Sequence, residues 1–172
     1  MKYLARISSD ENNPLLELKD SFGNIFFEKL KLTNETSKMF LYSKIKTKYE
    51  IDKYISKNSF ENRKLLCKMR VSDHFLEIER GRYKRIQREN RICKHCNINA
   101  VEDETHFFLK CKINKSLRNQ LEKDINNICP EYFKLSETDR LQLILSSFDI
   151  MQLTVPFVKK SFALRGVDTT PA

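Results

Sequence analysis

The residues best suited to chemistry are Cys93, Cys96, His106 and Cys111, a C-x2-C-x9-H-x4-C array held within twenty residues. Three thiols and an imidazole at such spacing suit a tetrahedral zinc ion. Cys93-Lys94-His95-Cys96 reads as a knuckle, because two residues between thiolates let one turn present both sulfurs to one ion. His106 and Cys111 are five apart, about 140° around an ideal helix at roughly 3.6 residues per turn. They do not face one ion from a regular α-helix, so a break is expected between them, with Cys111 just ahead of the next helix. There its thiolate gains from the positive helix N-terminus. Four protein ligands leave no open position, which makes the expected site structural, with Zn²⁺ as the expected cofactor. Three thiolates, a neutral imidazole and the ion carry net −1, and Arg91, Lys94 and Lys110 are the nearby cations that would offset it.

Other readings of the same residues stay open: ordinary buried cysteines with a core histidine, a redox-active CxxC pair, or His95 as ligand in place of His106. The redox reading wants a strand before the motif and a helix directly after it, and neither is visible. Cys67 and Cys129 read as core or incidental thiols, and His74 as a loop residue. Glu102-Asp103-Glu104 reads first as a solvated helix start, although one carboxylate has the reach to accept the imidazole's free N–H. Phe107, Phe108 and Leu109 are expected to pack the metal lobe onto the rest of the domain.

The segment leading into the array, RGRYKRIQRENRICK, holds Arg80, Arg82, Lys84, Arg85, Arg88, Arg91 and Lys94 against one acid, Glu89. Its net +6 is two thirds of the chain's +9. A face of this kind neutralises phosphates by counterion release, giving salt-sensitive and largely sequence-blind affinity. Tyr83 among the arginines can stack on an unpaired base. Arg63, Lys64, Lys68 and Arg70 extend the face if the preceding helix packs alongside. RNA or DNA is therefore the expected partner; a solvated basic surface with no specific ligand is the plain alternative.

At 172 residues the chain suits one domain, or one with a small satellite. Its 32% charged residues and only three glycines favour helices with solvated faces over β-hairpins. No signal peptide is visible in MKYLARISSDENNP, and no apolar run approaches the ~18 residues of a membrane span. An intracellular place, nucleus or cytoplasm, is expected, with no membrane partner. Five cysteines there read as metal ligands more readily than as disulfides.

The elements that must position these residues read as mainly α. Asn13-Pro14 looks like an N-cap with proline at N1, opening a short helix that Gly23 closes. Asn24–Leu32 fits a strand or a short helix. Leu41, Ile45 and Tyr49 fall at helical spacing within about 35–55. Phe60–Arg70 is a second helix with Leu66 and Met69 inward, and Val71–His74 is a break. After the array, Ile113, Leu117, Leu121, Ile125 and Ile128 form the clearest amphipathic helix, stopped by Cys129-Pro130. Ser136–Asp139 resembles a capping box opening a helix through Leu141, Ile144, Leu145 and Phe148. A last helix with Phe157, Val158, Phe162 and Leu164 starts near or kinks at Pro156, and Gly166–Ala172 is a frayed tail. The organisation is a helical region over 1–58, a basic metal-binding module over 59–130, C-terminal helices over 131–165, and a tail over 166–172.

The run RKLLCKMRVSDHFLEIERGRYKRIQRENRICKHCNINAVEDETHFFLKC resembles the zinc-binding segment at the C-terminus of non-LTR (LINE-like) retrotransposon reverse transcriptases. The matching positions are Leu66, Lys68, Arg70, Ser72, His74, Leu76, Ile78, Glu79, Gly81, Arg82 and Tyr83. Then come Arg91, Cys93, Cys96, Val101 to Glu104, His106, Phe107 and Cys111, with Arg118 beyond. This covers some fifty residues; the flanks are similar in general character alone. The resemblance implies that Cys93, Cys96, His106 and Cys111 are zinc ligands in a segment that helps a polymerase grip RNA or DNA. Two departures stand out. Lys112, Ile113 and Asn114 occupy positions where the family often has proline and then an aromatic. No Y/F-x-D-D motif is present, Asp149 after Phe148 being a lone acid, so no catalysis is expected of this chain. The expected function is a non-catalytic, zinc-stabilised nucleic-acid-binding module in a small helical domain with an embedded CCHC knuckle. The alternative is a zinc-dependent protein-interaction domain or a non-functional retroelement relic.

Overall fold

The computed structural model describes residues 14–34 and 36–167. The expected cap at Asn13, the helix start at Glu35 and the tail end 168–172 lie outside them. The protein is mainly helical, with no strand among the described residues and one isolated antiparallel bridge, Ile92 to Val101.

The first helix, α1 (Pro14–Lys31), runs straight through Gly23. The expected stop there, and the strand option for 24–32, are both corrected. Gly23 serves a close approach instead: a Cβ on it would lie 3.2 Å from Cβ of Tyr49. The single helix expected over 35–55 is two short ones, α2 (Phe40–Ile45) and α3 (Lys53–Lys57). The cause of the break is the buried Lys46, which leaves helical geometry with ψ at 105°. Its ammonium donates to the Glu50 carbonyl at 2.6 Å and to Asp52 Oδ2 at 3.0 Å, folding the intervening chain around itself. Satisfying a buried charge outweighs the propagation of one helix.

Helix α4 (Phe60–Arg70) matches its expected range, with Ser59 accepting from the Asn62 N–H as N-cap and with Leu66 and Met69 fully buried. Arg70, expected on the basic face, is instead buried at 1% exposure. It lies between the Tyr42 and Tyr54 rings, donating to the Leu145 carbonyl at 2.9 Å and to Asp52 at 3.2 Å. The turn at 71–74 then leads into α5 (Glu77–Tyr83).

Beyond the metal loop, α6 (Lys115–Ile128) buries Leu121 and Ile125 but leaves Ile128 about half exposed at its end. Ser136 caps α7 (Glu137–Ser146), accepting from the Asp139 N–H. Phe148 opens α8 (Phe148–Leu164) rather than closing α7, because the chain turns by 95° at Ser147. The expected start at Pro156 is also corrected, since α8 runs through it. Pro156 and Gln152, whose carbonyl it deprives of an amide, are both exposed, so water can replace that bond. No single helix among the described residues is long and apolar enough to cross a membrane.

One apolar cluster gathers Ile45, Met69, Phe107, Leu121, Ile144 and Phe162, and a smaller one joins Tyr54 of α3 to Leu66, Met151 and Val155. Val167 packs against the larger cluster too, so this part of the expected tail is anchored.

Candidate metal centre

Cys93, Cys96, His106 and Cys111 converge, their ligand atoms all lying within 4.8 Å of one another. Cys93 Sγ and Cys111 Sγ are 3.9 Å apart, and Cys96 Sγ lies 3.4 Å from His106 Nε2. A tetrahedron with Zn–S about 2.3 Å and Zn–N about 2.05 Å has S–S edges of ~3.8 Å and S–N edges of ~3.6 Å. The four residues are close enough to bind one metal ion, and the donor set and edges are compatible with zinc. Five free cysteines, none paired, agree with a ligand role over a disulfide.

The local backbone explains the convergence. The knuckle is a narrow loop closed by bonds from Cys93 N–H to the Ala100 carbonyl and from Glu102 N–H to the Arg91 carbonyl, both 2.9 Å. Asn99 turns the chain at φ 54°, a conformation asparagine tolerates better than most residues. His106–Lys110 is a π-helical turn. Cys111 N–H donates to the His106 carbonyl at 2.7 Å, so residues five apart close a single ring. The expected break takes this form: the 140° offset of an α-helix shrinks in a wider turn, and the chain extends only at Cys111, with ψ at 126°. A 3₁₀ turn over Lys112–Asn114 follows, and then α6. The Ile113 N–H next to Cys111 favours its thiolate, but burial outweighs it and holds the thiol up overall.

Phe107 and Phe108, both fully buried, anchor the loop as expected. Phe107 meets Phe162 at 5.1 Å between ring centroids, and Phe108 stacks on Phe157 at 5.5 Å, fastening the ligands to α8.

The surroundings differ from expectation. The cation beside the sulfurs is Arg165, whose Nη2 donates to Cys111 Sγ at 3.2 Å. The same guanidinium reaches Glu102 Oε1 at 3.4 Å and Asn114 Oδ1 at 2.7 Å and lies over the Phe107 ring at 4.7 Å. Arg91 instead spends its side chain on the Ile86 and Ile78 carbonyls, Lys94 pairs with Glu77 at 3.1 Å, and Lys110 pairs with Glu137 at 2.7 Å. No carboxylate holds the His106 imidazole either, and its Nδ1 has no partner among the described residues. Asp103 accepts from the His106 backbone N–H at 2.8 Å, and Glu102 accepts from the Glu77 N–H. Glu104 binds Ser72 and His74, the latter at 2.9 Å, so the acidic triplet is a buried fastening rather than a solvated start. His74, read as a loop residue, is part of that fastening. Arg118, inside α6, donates to the Cys111 carbonyl at 2.9 Å.

Burial pushes the Cys93 and Cys111 thiols up, eased at Cys111 by Arg165. Burial opposes ionisation of Cys96 as well, but N–H donors from Ile98 and Lys112 and the neighbouring thiols bring it down overall. Burial lowers His106, keeping the imidazole neutral as a ligand must be. Bound cations override such burial effects, deprotonating coordinated thiols outright.

The basic stretch divides in two. Arg82 faces Glu79 at 3.5 Å, Arg88 pairs with Asp103 at 3.3 Å, and Arg91 props the turn from beneath Gly81. Arg80 and Lys94 flank the buried Glu77 while remaining about half and two thirds exposed. Tyr83 is 72% exposed, and beside it Lys84 and Arg85 are exposed and form no ion pair among the described residues. No protein-family model, no curated protein and no solved structure matches the chain.

Proposed function

We propose that the chain is a non-catalytic module whose zinc ion folds a basic loop for binding RNA or DNA, derived from a retrotransposon reverse transcriptase of the LINE-like kind. The observation that carries this reading is the end of α5 and the turn after it, where Tyr83, Lys84 and Arg85 are all exposed, with Arg80 and Lys94 exposed nearby. An aromatic ring interleaved with free cations suits stacking plus phosphate neutralisation. Zinc is favoured as the metal by three thiolates and an imidazole at tetrahedral spacing. Its part is to tie the knuckle and the π turn together; the fixed donors leave no position for a reacting water.

A gel-shift series on zinc-loaded protein with single-stranded RNA, single-stranded DNA and duplex tests this. Binding to at least one at about 50 mM salt is expected, weakening steeply as salt rises. Absence of binding to all three at that salt overturns the reading. The second reading, a zinc-dependent protein-interaction domain, is favoured by one observation: Leu18, Phe22, Ile25 and Leu32 form an exposed apolar stripe along α1 and just past its end.

A further inference from the structure

Two cations of the basic stretch, Arg82 and Arg88, face inward to a cavity of about 290 Å³ that the metal loop helps to wall. Its apolar floor is Phe40, Ile45, Ile78 and Leu141. Lys44 stands at its side, and Thr105, immediately before the ligand His106, contributes a hydroxyl. Thr138 and Gln142 of α7 close the far wall. The acids that reach it are already engaged, Asp103 with Arg88 and Glu104 with Ser72 and His74. What remains is a small apolar slot ringed by amide, hydroxyl and guanidinium groups. Arg82 Nε makes no hydrogen bond there, while its Nη1 faces Glu79 at 3.5 Å.

At the lower limit of the roughly 300–1,000 Å³ usual for ligand pockets, the slot suits one planar, partly polar ring better than a larger molecule. An unpaired nucleobase has that chemistry, with an apolar face for the floor and hydrogen-bonding edges for the rim. Its phosphate would meet Lys44 at the side of the slot, and the exposed Lys84 and Arg85 lie only two and three residues past Arg82 to guide the adjoining backbone. We propose that this cavity receives a single unstacked base of a bound strand, an inference that rests on the nucleic-acid reading above. The module then reads single strands in preference to duplex, because a paired base cannot enter.

The test uses the zinc-loaded full chain, a single-stranded RNA of about 12 nucleotides, and an abasic oligomer of equal length and charge, with binding followed by fluorescence anisotropy. Thr138→Trp and Gln142→Trp crowd the slot from positions outside the apolar floor. Each is expected to weaken RNA binding by about tenfold, the scale of one base's contribution, and to leave abasic binding unchanged. Both should also leave the salt slope intact, since the phosphate contacts remain. The doubly charge-reversed Lys84→Glu/Arg85→Glu should flatten that slope. If the tryptophan variants bind RNA as tightly as the natural chain while charge reversal weakens it, the cavity proposal is overturned and the nucleic-acid reading stands. If they lose RNA and abasic oligomer equally, the cavity proposal is overturned in the same way. No binding by the natural chain overturns both.

Discussion

Arg165 reaches the metal centre from 54 residues beyond Cys111 and places one guanidinium between a ligand sulfur and the buried Glu102. Three thiolates around a divalent ion leave a net negative charge, and a buried negative cluster needs a fixed cation. Arg165→Met should therefore weaken zinc affinity by about 10–100-fold, with Arg165→Lys between, as read by competition with a chromophoric chelator. Unchanged affinity in the methionine variant would show that the contact is incidental. Removing a ligand is more drastic: Cys96→Ser and His106→Ala should lose zinc and folded structure together, followed by metal analysis and circular dichroism. The convergence of Cys93, Cys96, His106 and Cys111 was legible because their types and spacing are local. Arg165 was not, since an arginine at a helix end reads first as a partner for the helix dipole. His74 was missed for a related reason, its partner Glu104 being thirty residues away.

Among the elements, the π turn and α5 do most to place the site. Gly81 is buried in α5, and a Cβ there would lie 2.5 Å from Cγ of Arg91. That side chain is pinned by two carbonyls, so it has little freedom to move away. Gly81→Ala is expected to cost about 1–3 kcal/mol in urea denaturation, the scale of overpacking. A cost below about 0.5 kcal/mol would mean that the loop shifts freely. Arg70→Ala should cost about 3 kcal/mol, the lower end for breaking a buried pair, because Lys46 still faces Asp52. Helices α4, α6 and α7 were readable from caps and apolar spacing. The break between α2 and α3 was not, because its cause is a buried lysine, a residue that ordinarily supports a helix. The π turn was legible only as a geometric conflict between His106 and Cys111 that some departure from α-helix had to resolve.

In the whole molecule, one apolar cluster joins α2, α4 and the last three helices to the phenylalanines that follow His106. A metal ion held by the four residues would therefore be coupled to packing, and chelation should lower the stability of the entire cluster rather than loosen the knuckle alone. The mainly helical class follows from composition and periodicity, whereas the pairing of distant segments is set by side-chain fit that no short window contains. The basic character was also visible early, but its division was not. Arg70, Arg82, Arg88 and Arg91 are engaged inside the fold, leaving Tyr83, Lys84 and Arg85 as the most open group. Their role is tested most directly by a salt titration of single-stranded RNA binding, comparing zinc-loaded natural protein with Lys84→Glu/Arg85→Glu. The natural protein should lose affinity linearly on a log–log plot, with a slope near −0.7 for each phosphate contacted, and the variant should show a slope shallower by one to two contacts. Equal slopes and equal affinities in the two proteins would contradict the account.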